Sequence, residues 1–409
     1  MAALGVLHVV EHWRPVLDGN ATRSLALVEA LAADPRLAPR VLVSSRQFQR
    51  TRGDLTDDLD GRVAAVAPSR REHRRRRWQK SFVDAGHLGR AVKAAVDAAG
   101  SQLIHCHCSS TVGSATLKAA RELDLPAVAE VRYDLAGAVM TETVGFALPG
   151  LETALRHWFE RHLAGADALV AASHSLATLV ARHVPTAAER LTVVPNGTDP
   201  QRFTPGPKDP QSLRRWGLEG ALVVGTTSNM LRHEGLDRLL QTAAVLKGQL
   251  PTLKLLFVGS GPQHQALEAQ ARALGVDAVF TGRLPPAAIP DYLRLMDIFV
   301  VPRRDASVTR HAGPVKLMEA MACGRAALGT AVGDIPALLA EGRGAVVPAT
   351  ASNAHLAEAL AALLRDPEER RRLGQRARAW VETQTWAKAA ARYHEAYHRA
   401  LDHHRRRRR

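Results

Sequence analysis

Two series of short apolar runs, separated by amphipathic stretches of helical length, constrain this chain more than any other feature. The first series is LGVLHVV (4–10), RVLVSS (40–45), LIHCHC (103–108), AVAEVR (127–132), ALVAAS (168–173) and LTVVPN (191–196). The second is ALVVGT (221–226), LKLLFVG (253–259), AVFTG (278–282), DIFVVP (297–302), AALGT (326–330) and GAVVP (344–348). Each run has strand length and little polar alternation, so it reads as a strand buried on both faces, as in a parallel sheet. Between the runs, 21–33, 87–99, 235–247 and 263–274 carry apolar residues at helical spacing. Strand and helix in steady succession predict α/β architecture, with helices on both faces of doubly wound parallel sheets. Two series predict two Rossmann-like domains, 1–195 and 196–382, joined near Asn196. From about 352 onward no strand candidate occurs. The segment 383–404 is expected to be a helix packing back on the N-terminal domain, followed by a basic tail at 405–409.

The length of 409 residues suits two domains. With 46% hydrophobic and 23% charged residues, a disordered or collagen-like chain is excluded. No run approaches the 18 or so apolar residues of a membrane span. The start, MAALGVLHVVEHW, has no basic region and meets Glu11 and His12 too early for a signal peptide. Cys106, Cys108 and Cys323 cannot build a disulfide framework, so a reducing cytoplasm is expected. The formal charge of +15 is concentrated: residues 70–80 carry +6 and Arg405 to Arg409 add +5. That leaves a nearly neutral body. Only 4% of residues are aromatic and Trp78 alone stands within the basic clusters, which argues against a nucleic-acid binder. The arginines suit solvated tails or contact with anionic lipid at the inner membrane face.

In open parallel sheets, ligands bind beyond the carboxyl ends of the strands. Gly19 and Asn20 open a helix there; the free N–H groups suit a phosphate, and a tight structural turn fits the same residues. In HCHC (105–108), alternation puts His105 and His107 on one face and both cysteines on the other. With no second ligand pair at finger-like spacing, zinc is not expected. His107 reads either as a cleft residue or as a core histidine. Gly259 and Gly261 form a Gly-x-Gly turn, but His264 stands where a dinucleotide fingerprint needs its third glycine. In VPRRDASVTRHAGPVKLMEAMACGRAALG (301–329), Lys316 and Glu319 are three apart on a helix that follows a polar loop carrying Arg303, Arg304 and Arg310. Such a pair suits an anionic, hydroxyl-bearing ligand, and equally an intrahelical ion pair. Asp58 and Asp60 read as solvated surface. No P-loop, HExxH helix or Gly-x-Ser-x-Gly elbow occurs.

VVPNGTDPQRF (193–203), LLFVGSGP (255–262), TGRLPPAAIPDYLRLMDIFVVPR (281–303) and PVKLMEAMACGRAALGTAVGDIPALL (314–339) together resemble the group 1 retaining glycosyltransferases of the GT-B fold. VLHVVEHWRPVLDGNATRSLALVEAL, LIHCHCSSTVGSATLKAAREL and EVRYD resemble the acceptor-side half of the same family. The likeness runs from about residue 4 to 400. It implies two domains facing across a cleft, with C-terminal helices crossing back, and transfer of a sugar from a nucleotide diphosphate with retention and without an obligatory metal or cofactor. UDP is the favoured nucleotide; the acceptor is a glycan, lipid-linked or small-molecule hydroxyl.

Carried over by position, Gly19, Asn20 and Lys316 would meet the diphosphate, Glu319 the ribose, and Arg283 with Leu284 the base. His107, Lys316 and Arg303 are the candidate catalytic residues. Asn229, Arg232, Glu234, Gly259, Gly261, His311, Gly313, Pro314 and Val315 complete the expected donor site, with His12 and Arg132 on the acceptor side. The chain departs from the family in three places. His311 stands where the first acid of the Glu, seven residues, Glu motif belongs. Asn229 and Glu234 replace an Arg and a Lys on the phosphates, and Arg132 replaces a histidine. EGLD and EVR resemble a subset linked to bacterial exopolysaccharide clusters. Arg303 or Arg232 is then the compensating cation. A non-catalytic sugar-nucleotide or partner-binding protein is the alternative reading.

Overall fold

The computed structural model describes residues 3–16, 19–51, 55, 59–73, 83–107, 110–138 and 150–409. It divides into two compact units, Met1–Asn196 with Trp386–Arg409, and Gly197–Thr385. Asp58 and Cys108, singled out in the sequence, lie outside the described residues, as does the arginine cluster from 74 onward.

The first unit is built on β1 (Leu4–Val10), β2 (Leu37–Val43), β3 (Val63–Ala65), β4 (Leu103–Cys106), β5 (Ala127–Val131), β6 (Ala168–Ala171) and β7 (Leu191–Val193). All pair in parallel, in the order β3-β2-β1-β4-β5-β6-β7. The alternation of side chains divides the sheet between two cores. Leu7, Val9, Ile104, Cys106, Ala129 and Val131 enter one; Val6, Leu103, Val128 and Val170 enter the other. The second core is closed by α1 (Gly19–Ala32) and the C-terminal helix Trp386–Arg408. In that helix Ala389, Ala390, Tyr393, Ala396, Tyr397 and Ala400 form one buried stripe at helical spacing. The helix continues through Arg408, so the run read as a tail is helical except for its last residue.

β3 was not legible in the sequence. It is a three-residue, half-buried edge strand following the turn at Gly61, with too few residues to show a pattern.

The second unit carries β8 (Leu222–Thr227), β9 (Leu253–Val258), β10 (Ala278–Phe280), β11 (Ile298–Val301), β12 (Ala326–Thr330) and β13 (Ala345–Val347), in the order β10-β9-β8-β11-β12-β13. Strand pairing is again parallel throughout. Local sequence fixes the helix ends. The Asp366 side chain accepts from the Glu369 N–H and Pro367 occupies the first turn of the helix Pro367–Val381.

In both sheets the strand order reverses once, between β1 and β4 and between β8 and β11. Crossovers leave such a point in opposite directions and open a crevice at the carboxyl ends of the two strands.

Candidate functional site

At the β8/β11 reversal, Glu234, from the loop after β8, accepts from Arg303, from the loop after β11, with Nη2 to Oε1 at 3.1 Å. Its second oxygen accepts from Lys316 Nζ, in the first turn of the helix Val315–Ala322. Arg303 also donates from Nη1 to the Ala312 carbonyl at 2.7 Å, which fixes the loop leading into that helix. The three side chains are between 9% and 15% exposed. Burial alone would push the Glu234 carboxyl up; Arg303 and Lys316 instead hold it well below the ordinary carboxylate range. Burial lowers Lys316, against the pull of Glu234. Gly235 is required beside this pair. Its φ is +69°, and a Cβ there would stand 2.1 Å from the Pro302 carbonyl oxygen.

Lys316 therefore pairs across the crevice with Glu234 and not along its helix with Glu319, which corrects the intrahelical alternative. Glu319 makes no hydrogen bond or ion pair through its carboxylate among the described residues. Burial pushes it up to about 7, against the pull of Arg202 and Lys316. Arg303 is likewise engaged, by Glu234 and Ala312, so of the two candidate compensating cations only the exposed Arg232 carries no ion pair among the described residues.

The other expected donor-site residues lie on the loops after β8, β9, β10 and β11 and at the start of the helix Val315–Ala322. Asn229 is exposed, and its carbonyl lies where a Cβ on Gly261 would come within 1.6 Å. Gly259 sits against the Ser228 backbone, and its N–H donates to the Gly282 carbonyl at 3.0 Å. Those two glycines thus bring loops together, a structural reason sufficient for the Gly-x-Gly turn. Arg283 is exposed beyond β10 and Leu284 packs on the core. His311 closes the short helix Ser307–Arg310, half-buried with Gly313; Pro314 is buried at the cap of the next helix and Val315 half-buried at its first position.

In the first unit, α1 begins at Gly19, where a Cβ would meet no described atom within 4 Å. Arg132 holds that end of α1, donating to the Asn20 carbonyl at 2.9 Å and to Ser24 Oγ at 2.7 Å. Its other nitrogen, Nη2, lies 2.6 Å from His107 Nδ1 and 3.1 Å from Glu130 Oε2. A guanidinium only donates, so His107 Nδ1 accepts and the ring carries its proton on Nε2. That proton points to His8 Nδ1, 2.7 Å away. Both nitrogens of His107 are therefore occupied inside the unit and its side chain is fully buried. The residue expected near the donor sugar sits instead in a buried chain running from Arg132 through His107 to His8. His12 is half-buried just past β1. Beside it, Glu11, just after β1, accepts from Arg46, just after β2, at 2.6 Å and from Ser110, in the loop after β4.

His8, His105 and His107 bring ligand atoms within 4.8 Å of one another, a grouping that spacing along the chain could not show because β1 supplies the third ring. All three are held below the ordinary histidine range by burial first; His105 lowers His8 and His107 further, whereas Glu130 pulls His105 partly back. Their surroundings do not suit a cation. Arg23 and Arg132 already outnumber Glu130, and the Nε2 proton of His107 occupies the direction a metal would need. Arg23, Glu130, Tyr393 and Tyr397, which complete this group, went unread in the sequence. The available signal was a charged or imidazole side chain inside an otherwise apolar strand, at His8 and Glu130.

Two parallel doubly wound sheets, with a cationic group at one reversal and a helix N-terminus at the other, define a two-domain α/β protein suited to phosphorylated ligands. Residues 211–380 match the family model for glycosyl transferases group 1, and residues 19–202 that for glycosyltransferase family 4. The chain belongs to the group 1 glycosyltransferases and has the GT-B fold. Over 216 residues it is 32% identical to the GDP-mannose-dependent alpha-(1-6)-phosphatidylinositol monomannoside mannosyltransferase of Mycolicibacterium smegmatis, matching 50% of this chain and 55% of that one. The chain spans little more than half the length of the curated relatives it matches. Its fold is similar to that of sucrose-phosphate synthase from Thermosynechococcus elongatus, with a TM-score of 0.78 at 21% identity over 98% of this chain and 100% of that one. It is also similar to HepE of Anabaena in complex with UDP-glucose, with a TM-score of 0.72 at 17% identity over 96% and 99%.

Proposed function

We propose that this protein is a retaining glycosyltransferase that moves a sugar from a nucleoside diphosphate to an acceptor hydroxyl. The observation that carries the reading is the grouping of Lys316 and Arg303 at the start of the helix Val315–Ala322, with the unpaired Glu319 one turn further on. The cations and the free N–H groups of the helix suit a diphosphate, and a carboxylate at that distance suits ribose hydroxyls. UDP is the nucleotide the family resemblance favours; the GDP-mannose in the name of the Mycolicibacterium relative makes GDP the second candidate. That name also supports a lipid-linked acceptor.

In this reading the acceptor oxygen attacks the anomeric carbon from the face the diphosphate leaves. The bond from that carbon to the phosphate oxygen breaks and its electron pair departs with the nucleoside diphosphate. The same phosphate oxygen takes the acceptor proton, so no second carboxylate is needed as base. Lys316, Arg303 and the helix N-terminus stabilise the charge that develops on the leaving group, without requiring a metal.

The test is a thermal-shift screen against UDP-, GDP-, ADP- and dTDP-sugars, followed by NMR of the glycoside formed. Stabilisation by one donor class and a product with the donor's anomeric configuration support the reading. Inversion overturns the mechanism, and no stabilisation by any donor overturns the function.

A further inference from the structure

Glu234 is in an unusual place for a carboxylate: between the two buried cations of a crevice suited to a phosphate. One oxygen is taken by Lys316 and the other by Arg303. Three groups thus carry a single net positive charge. The carboxylate cannot relax away cheaply, because Gly235 is wedged against Pro302 and fixes the loop. It is also strongly ionised, so the pairing persists across the working pH range. An anion arriving at Lys316 and Arg303 meets positions already filled by a carboxylate of this chain.

We propose that Glu234 is a built-in counter-ion that competes with the diphosphate for Lys316 and Arg303, and that it weakens the site for nucleoside diphosphate product more than for sugar-bearing donor. This rests on the function proposed above. The reason is charge. A nucleoside diphosphate carries about three negative charges at neutral pH, because its terminal phosphate loses a second proton near 6, whereas the sugar diester carries about two. A fixed negative charge a few ångströms away therefore repels product more strongly than donor. A site with Lys316 and Arg303 alone would hold its product tightly. Glu234 lowers that affinity and gives the product a carboxylate to take its place as it leaves.

The experiment is isothermal titration of wild type, Glu234→Gln and Glu234→Asp with UDP, GDP, UDP-glucose and GDP-mannose at low salt. For whichever nucleotide wild type binds, Glu234→Gln is expected to tighten the bare diphosphate about tenfold and the sugar-bearing donor about threefold. Glu234→Asp, which keeps the charge, is expected to stay within about twofold of wild type for both ligands. Added salt should shrink the effect. Unchanged or weaker binding of the bare diphosphate by Glu234→Gln overturns the proposal, as does equal tightening of both ligands. Weaker binding of the donor alone assigns Glu234 to the sugar hydroxyls instead. If neither wild type nor variant binds any of the four, the function reading falls and this inference with it. Protein in which Glu234→Gln does not fold is replaced by a salt titration of wild type, where product affinity must depend on salt less steeply than two free cations would give.

Discussion

Arg23 Nε lies 2.7 Å from Glu130 Oε1, in an ion pair whose side chains are 4% and 0% exposed. α1 supplies the arginine and β5 the carboxylate. Burial opposes the charge on Glu130, and Arg132 and Arg23 together hold it well below the ordinary carboxylate range. Arg23 also donates to the Val194 carbonyl at 3.0 Å, to Tyr393 Oη at 3.1 Å and to Asn196 Oδ1. One guanidinium therefore ties α1 to β5, to the end of β7 and to the C-terminal helix. Replacing the carboxylate would leave two buried guanidiniums without a counter-charge. Glu130→Gln is expected to cost about 3–5 kcal/mol of unfolding free energy in urea titration. A loss below about 1 kcal/mol would mean that the pair does not hold the unit together.

The histidine chain next to it gives stability a pH dependence of known sign. His8 and His107 are held well below 6.5 by burial and then by His105. The unfolded chain takes up protons near 6.5 that the native protein refuses. Stability therefore falls as pH drops below that value, by about 1.4 kcal/mol per pH unit for each histidine kept neutral. Glu130, with its lowered value, adds stability at neutral pH that is lost as pH falls below about 4.5. Nitrogen-detected NMR at pH 6 should find His107 neutral with its proton on Nε2. An imidazolium signal there would refute the chain of donors from Arg132.

Glu319 shifts in the opposite direction. Between the ordinary value of 4.5 and its own of about 7, the native protein holds a proton the unfolded chain has lost, so this group lowers stability as pH rises through that window. Ligand binding gains over the same range, because only the ionised carboxylate accepts from two ribose hydroxyls. The affinity for a sugar diphosphate, which does not itself titrate there, is expected to rise about tenfold from pH 6 to pH 8. In Glu319→Gln the affinity should be lower and flat with pH. A slope retained in that variant would place the titrating group elsewhere.

The C-terminal helix bears on membrane contact. Arg405 lies 3.5 Å from Asp402, Arg408 3.1 Å from Asp124 and Arg407 3.8 Å from Asp167, while Arg406 makes no ion pair among the described residues. Acids of the first unit thus offset part of the basic end. Flotation with vesicles of phosphatidylglycerol should fall in a chain lacking residues 405–409, by roughly 1 kcal/mol for each charge that truly faces lipid. Identical flotation with and without them would mark the run as solvated.

What was legible in the sequence follows from range. All six strands of the second unit and six of the seven in the first were visible, because a buried parallel strand announces itself within its own few residues. The loop carrying Arg303 and the helix carrying Lys316 and Glu319 were visible for the same reason, since ligand-facing residues follow strands. Partners were not. Nothing local says that β1 lies beside β4, so His8 could not be joined to His107, and the spacing of Lys316 and Glu319 suggested a pair that the structure gives to Glu234, 82 positions away. Long-range pairings of this kind depend on the strand order, which one sequence does not reveal.

Because Lys316 has a carboxylate partner, its removal should do more than delete one cation. In Lys316→Met, Glu234 keeps only Arg303 and presents more of its charge to an incoming diphosphate. The loss of donor affinity is then expected to reach about 100-fold, at the upper end of what a single charge-assisted hydrogen bond to phosphate gives. In the double variant Lys316→Met with Glu234→Gln the repulsion is gone, so part of the affinity should return, by about tenfold over Lys316→Met alone. Titration of all four proteins with the donor found in the screen closes this cycle. Simple additivity of the two effects would show that Lys316 and Glu234 act on the ligand independently, and the ion pair between them would then have no bearing on how the donor is held.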